Sequence, residues 1–225
     1  MRNIYLVLMI LFLMISCAGS PELVPIKRPL RFDADDNRCK IPFPDREWQF
    51  VHSIEATMPG GGQTVMIGVT SFSPETGIME CVLMTVEGVV LFDARYDGQI
   101  VIHRALPPFD SMTFARGLID DIRLIFFPPD GPLIASGISE DGALICRYRT
   151  DRGMMVDIVI HEDHLWEIRQ YDQDSRLIRS LKTDPGIRGT AGRQNPIPAR
   201  LELTAFGPSE YALTLDLIEA RELGK

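Results

Sequence analysis

Apolar and polar residues alternate along most of this chain, and the regular alternation begins at Trp48. Over residues 48–57, Phe50, His52, Ile54 and Ala56 fall on one face of an extended segment. That period of two is the signature of a half-buried β-strand. Pro59-Gly60-Gly61-Gly62 breaks the run, and Val65, Ile67 and Val69 then share a face of the next strand. Ser73-Pro74-Glu75-Thr76-Gly77 turns the chain again. Residues 78–86 and 89–96 are apolar runs joined by Glu87-Gly88, and Asp97-Gly98 leads into 99–105. An Asp-Gly pair favours a type I′ hairpin turn, whose two central residues both need positive φ. These five strands read as a meander.

The period changes over residues 111–127. Ala115, Leu118, Ile119, Ile122, Ile125 and Phe126 recur at spacings of three and four, while Arg116, Asp120, Asp121 and Arg123 fall mostly elsewhere on the wheel. This is an amphipathic helix. Asp110 or Ser111 can cap its start by accepting backbone N–H bonds. Pro128-Pro129 stops it, because proline donates no hydrogen bond and restricts the residue before it. Six apolar side chains, at about 1.5–3 kcal/mol each on burial, require the helix to dock on a sheet. Strands resume near 132–138, 143–150, 154–161, 164–172 and 175–183. A Gly- and Pro-rich connection, Asp184 to Pro196, follows. Two further strands close the pattern, one with Leu201, Leu203 and Ala205 on a face, the other with Tyr211, Leu213, Leu215 and Leu217. About twelve strands and one helix result, with no fixed-period repeat. The simplest architecture is mainly β: one curled antiparallel sheet, an unclosed half-barrel, with the helix on its concave face.

Ahead of the strands, Arg2 precedes an unbroken apolar run from Ile4 to Ile15. Twelve helical residues span about 18 Å, short of a bilayer core of roughly 30 Å, so the run fits a signal-peptide core better than a membrane span. It ends in Leu13-Met14-Ile15-Ser16-Cys17, which resembles a lipobox with Met14 where leucine is usual. The resemblance implies a signal peptide over 1–16 and lipidation of Cys17. An ordinary signal peptide with a chance cysteine is the alternative. Acyl chains contribute about 0.8 kcal/mol per buried CH₂, and more than one is needed for a stable anchor. Ala18, rather than an Asp, follows the cysteine, which points to the outer membrane. Residues 17–46 carry Pro21, Pro25, Pro29, Pro42 and Pro44 and read as a lipidated Cys with a proline-rich tether; 47–225 is the β domain.

Loss of residues 1–16 removes one Arg and no acid from a chain of formal charge −8, leaving −9. Bulk electrostatics then give no attraction to nucleic acid or to anionic lipid headgroups. Cys39, Cys81 and Cys146 remain beside Cys17. Three is odd, so at least one is unpaired in the monomer. Cys81 and Cys146 lie in strand-like apolar runs, where buried free thiols or a mutual disulfide are both open.

Candidate chemistry is sparse. His161-Glu162-Asp163-His164 groups metal-capable side chains, but the spacing is that of a polar turn between strands and not of a zinc helix. Asp120 and Asp121 point about 100° apart on the helix and read as a solvated face. Gly60-Gly61-Gly62-Gln63-Thr64 lacks the ending of a phosphate loop. No serine sits in a nucleophile elbow. No catalytic residue, metal or cofactor is therefore expected. Met58, Met66, Met79, Met84, Met112, Met154 and Met155 suit an adaptable cavity or ordinary gap-filling equally. Arg188 and Arg193, in the long loop, meet either a lipid headgroup or solvent.

The succession of lipobox, proline tether, antiparallel meander, central helix and further meander resembles the LolA/LolB superfamily. The resemblance rests on 48–57 and 62–105, on Arg116-Gly117-Leu118-Ile119-Asp120-Asp121-Ile122-Arg123-Leu124 running into Phe127-Pro128, and on Ile197 to Leu217. It is nearest to a LolB-like lipoprotein family, some members of which are encoded beside aryl-polyene or fatty-acid-type synthesis genes. It implies an unclosed barrel whose apolar concave face receives acyl chains, without covalent chemistry. Leu118, Ile119, Ile122 and Phe126 on the helix, with Trp48 and Trp166 at the mouth, are the expected ligand-binding residues. The expected partners are a membrane, through Cys17, and a lipid or acyl-bearing ligand. A helix that covers the concave face permanently would instead give a dry core and an envelope protein-interaction module. The sequence leaves both open.

Overall fold

The computed structural model describes residues 24–30, 37–58, 60–163, 165–184, 197–207 and 210–224. The signal segment, Cys17, His164, Arg188 and Arg193 lie outside the described residues. Thirteen strands form one antiparallel sheet: β1 Arg28–Pro29, β2 Trp48–Thr57, β3 Gln63–Phe72, β4 Met79–Met84, β5 Val90–Tyr96, β6 Ile100–Ala105, β7 Leu133–Ile138, β8 Leu144–Arg149, β9 Met155–Ile160, β10 Trp166–Tyr171, β11 Leu177–Thr183, β12 Arg200–Ala205 and β13 Tyr211–Glu222. Their order is β1-β7-β8-β9-β10-β11-β12-β13-β2-β3-β4-β5-β6. Among the described residues no ladder joins the two ends, β1 and β6, so the barrel is unclosed. Among the described residues no helix is long and apolar enough to cross a membrane.

One α-helix, α1 (Met112–Phe126), connects β6 to β7 and so crosses the concave side between the two halves of the sheet. Ser111 caps it, its hydroxyl accepting from the Phe114 N–H at 3.1 Å. Phe127 leaves the helix in an extended conformation before the proline pair. Directly paired strand residues share a face, so the register fixes what α1 meets. Trp48, Phe50, His52, Ile54 and Ala56 of β2 point inward, with Phe72, Thr70, Gly68 and Met66 of β3 opposite the first four. Cys146, Ile158, Ile168, Leu181 and Leu203 continue that inner face from β8 to β12.

The register has a consequence at β3. Val65, Ile67 and Val69 do share a face, but it is the outer one; Val65 is 49 % exposed. The β2 aromatics take the core side, and an antiparallel partner must follow them. The Asp97-Gly98 turn also differs from expectation. Gly98 alone adopts positive φ, at 102°, and residues 97–99 link the pair Tyr96–Ile100, so this is a three-residue turn and not type I′.

Residues 24–30 and 37–46, expected to belong to an extended tether, instead lie against the domain. Val24 and Ile26 pack on Ala143, Ile145 and Val159 of the outer face. The Lys27 N–H donates to the Ile138 carbonyl at 2.9 Å and the Leu30 N–H to Ser136 at 3.0 Å, adding β1 beside β7. A side chain at Gly137 would collide with the Arg28 carbonyl and Ile26, so the crossing needs glycine there. Farther along, a single 3₁₀ turn, Asn37–Lys40, carries Cys39 to a disulfide with Cys146, Cα to Cα 5.8 Å. Cys146 is therefore not a free thiol. Cys81 is free and buried, and burial pushes its thiol pKa up to about 12, which leaves it unreactive. Prolines mark extended backbone, but extended backbone packs wherever apolar side chains flank it; here Val24, Ile26 and Phe43 do.

Candidate functional site

The concave face and the helix that crosses it form the core. Toward its C-terminus α1 is held by aromatic packing. The Phe126 ring stacks on Phe50 at 5.1 Å and Phe72 at 5.0 Å, with His52 at 6.2 Å. Offset rings at such distances add to the burial of apolar area. His52 is 4 % exposed and has only apolar rings beside it, and burial lowers its pKa to about 4.

The middle of α1 is held by charge. Asp121, expected on a solvated face, is instead buried and accepts from Arg179 Nε of β11 at 2.7 Å and from the Tyr211 hydroxyl of β13. Burial raises the Asp121 pKa, and burial together with the adjacent carboxylate pushes the Tyr211 phenol up. An isolated buried carboxylate would be costly, but two directional donors compensate it. The pair fixes the rotation and depth of α1 over β11 and β13. Asp120, one residue earlier, stays on the accessible side, 3.7 Å from Arg152.

Two clefts flank the helix, with Phe43 of the N-terminal segment in the wall of both. The smaller, about 390 Å³, is lined by Trp48, Phe50, Ile125, Phe126, Trp166 and Leu201, with Arg46 and Glu222 at its rim. The larger, about 720 Å³, lies between the β5–β6 turn, α1 and the β8–β9 turn. Its floor is Ile119, Leu124, Phe127, Val156 and Ile168, and its sides carry Arg116, Arg123, Arg152 and Arg179. Both volumes fall in or near the range of small-molecule sites, roughly 300–1,000 Å³.

The structure thus brings Trp48, Phe126 and Trp166 together at the smaller cleft and puts Ile119 in the larger one. Ile122 is buried in the core, and Leu118 is half-buried against it. Sequence reasoning missed Phe43 and the arginine-lined side of α1. The available signals were an aromatic between two prolines, Pro42-Phe43-Pro44, and the spacing of Arg116, Asp120 and Arg123 on one helical face. Of the methionines, Met112 and Met154 line the larger cleft, whereas Met66 and Met79 are buried. Among the described residues no three His, Cys, Asp or Glu side chains meet in a metal-binding group.

No protein-family model matches the chain. No curated protein matches it in sequence. Among solved structures, a LolA superfamily protein from Nitrosomonas europaea superposes with a TM-score of 0.56 at 11% identity, over 87% of this chain and 96% of that one. A domain described as an outer membrane lipoprotein-sorting protein, from Vibrio parahaemolyticus, gives 0.46 at 5% identity over 83% of this chain and 89% of that one, too low to carry an argument. The first likeness concerns fold, and it agrees with the topology above: the chain folds as a LolA-like open β-barrel with a helix across its concave face.

Proposed function

We propose that this protein is a lipoprotein of the outer membrane, anchored through Cys17 and facing the periplasm, that binds or transfers a lipid or acyl-bearing ligand without covalent chemistry. The observation that carries this reading is the convergence of Trp48, Phe50, Phe126 and Trp166 on a cleft that remains open beside the helix, with Asp45, Arg46 and Glu222 at its edge. Apolar burial in that cleft supplies binding energy at about 25 cal/mol per Å² of area removed from water. The LolA superfamily neighbour shares the fold. The LolB-like likeness and a source in aryl-polyene or fatty-acid-type synthesis belong to this reading as its finer form. In this reading Phe126 is the helical wall of the smaller cleft and Trp48 and Trp166 its mouth, Ile119 faces the larger cleft, and Leu118 and Ile122 pack behind the helix.

The test is native mass spectrometry of residues 20–225, made without the anchor in a bacterial envelope, followed by solvent extraction. A defined extra mass released as a lipid supports the reading. A clean apo mass, with no uptake of offered phospholipid, fatty acid or lipopeptide, overturns it. Metabolic labelling with an acyl probe, lost in Cys17→Ser, tests the anchor separately.

One observation favours the second reading, an envelope interaction module with a dry core. Val51, Val69 and Val82 form a row across the outer face of β2, β3 and β4, beside Ile67 and the exposed Val65. Capture of one stable protein partner, lost when this row is made polar, distinguishes it.

A further inference from the structure

We infer that the larger cleft is a site for the anionic head of an amphiphile, with Arg116 as its principal charge contact. The inference rests on the proposed lipid-binding function and names the chemical class of ligand at a second place in the same half-barrel.

The cleft is amphipathic in a specific way. Its floor is apolar: Ile119, Leu124, Val156 and Ile168 are all buried beneath it. Its sides are charged. Four arginines and three aspartates line it, and Asp121, buried behind Arg179, balances them. Three of the four guanidiniums are already occupied. Arg123 grips Asp130 through Nη2, at 3.0 and 2.7 Å, and lies over the Tyr96 and Phe127 rings. Arg179 donates to Asp121 and to the side-chain amide oxygen of Gln170, at 3.2 Å. Arg152 faces Asp120.

Arg116 has no such partner among the described residues. It is exposed, and it stands on the same face of α1 as Asp120 and Arg123, at spacings of four and seven. A guanidinium presents several N–H donors in a planar fork that suits phosphate or carboxylate oxygens. With Arg123 fixed by its rings and by Asp130, the wall behind that fork is pre-formed. An acyl chain on the floor and an anionic head at Arg116 satisfy both parts of the cleft together. A neutral head would leave the cation unused.

The full-length protein, in nanodiscs of neutral phosphatidylcholine, is offered two photoreactive probes of equal chain length, a dodecyl phosphate and a dodecanol. Cross-links are mapped by peptide mass spectrometry. The expected result is that the phosphate probe labels peptides bordering the larger cleft, around 112–130 and 150–156, about fivefold more than the alcohol does. That preference disappears in Arg116→Ala and returns in Arg116→Lys. Equal labelling by both probes, or labelling only of the Trp48 and Trp166 peptides, overturns this inference and leaves lipid binding standing. Labelling by neither probe above an unrelated nanodisc protein overturns both. Because Arg116 is exposed, the variants retain the fold, which thermal unfolding checks.

Discussion

The two halves of the sheet solve the outer face in opposite ways. On β8 to β11 the outward positions combine apolar side chains, Ile145 and Val159, with a network of charges, and the N-terminal segment covers part of them. Asp157 is wholly buried and meets Arg147 through two bonds, of 2.7 and 2.8 Å; Arg147 also donates to the Val24 carbonyl at 2.6 Å. Glu167 accepts from Arg169 at 2.7 Å and Ser180 at 3.0 Å, with Lys182 nearby. The N-terminal segment lies over this network. On β2 to β4 the corresponding row is Val51, Val69 and Val82, apolar and only half-buried. Polarity therefore does not tell which positions are buried. Asp157 has no exposure on the outer face, and neither has Ile145 beside it, whereas Val65 and Ile218 stand 49 % and 59 % exposed. What decides is whether another part of the chain crosses above. Where it does, every polar atom beneath needs a partner.

The largest expected effect tests the covered half as a whole. The Cys39–Cys146 bond closes 107 residues of sequence, and chain entropy alone assigns such a loop about 4–5 kcal/mol. The double variant Cys39→Ala/Cys146→Ala should lose about that much, read from urea unfolding. A loss below about 1 kcal/mol would mean that packing holds the segment without the cross-link.

Next comes the charge beneath it. Arg147→Leu strands a fully buried carboxylate and should cost about 3–4 kcal/mol, whereas Arg147→Leu/Asp157→Leu should recover most of that loss. If both variants are equally unstable, the cost is one of packing and not of an unpaired charge.

On the aromatic side, His52 provides a pH test. Its folded pKa of about 4 lies below the unfolded value near 6.5, so the unfolded chain binds the extra proton first. The stability due to neutral His52 is fully present above pH 6.5 and is lost as pH falls toward 4, by up to about 3 kcal/mol at 1.36 kcal/mol per pH unit. His52→Leu should flatten the stability profile between pH 6.5 and 4 relative to the parent. An unchanged slope would assign the acid sensitivity to other groups.

The smallest effect concerns the bare half. Val69→Ser or Val82→Ser, at half-buried positions, should cost about 1 kcal/mol. A larger loss, measured by the same urea titration, would show that the outer row is covered in the folded protein after all.

Much of this architecture is legible one strand at a time. The alternation over 48–57 coincides with β2, and the helix read over 111–127 is α1 with its ends moved by one residue, because capping serine, apolar spacing and terminating prolines act locally. Legibility fails where one element depends on another. β13 continues to Glu222, beyond the clear alternation that ends at Leu217, because a bulge between Leu217 and Glu219 shifts the phase. The mouth residues Trp48 and Trp166 were legible as aromatics of the right kind. Their meeting with Phe126 and Phe43 at one cleft was not, since four separate segments supply them.

The sequence by itself determined the strand pattern, the single amphipathic helix and the fold class, because hydrophobic period and turn chemistry are written in neighbouring residues. It also set the expectation of an anchored chain, through the run ending at Cys17. Only the tertiary structure decided that Cys39 pairs with Cys146, that Asp121 is buried against Arg179 and Tyr211, that the β3 valines face outward, and that two clefts remain beside the helix. Each of these depends on which distant segments share a face, and sheet register and the crossing of α1 fix that in space.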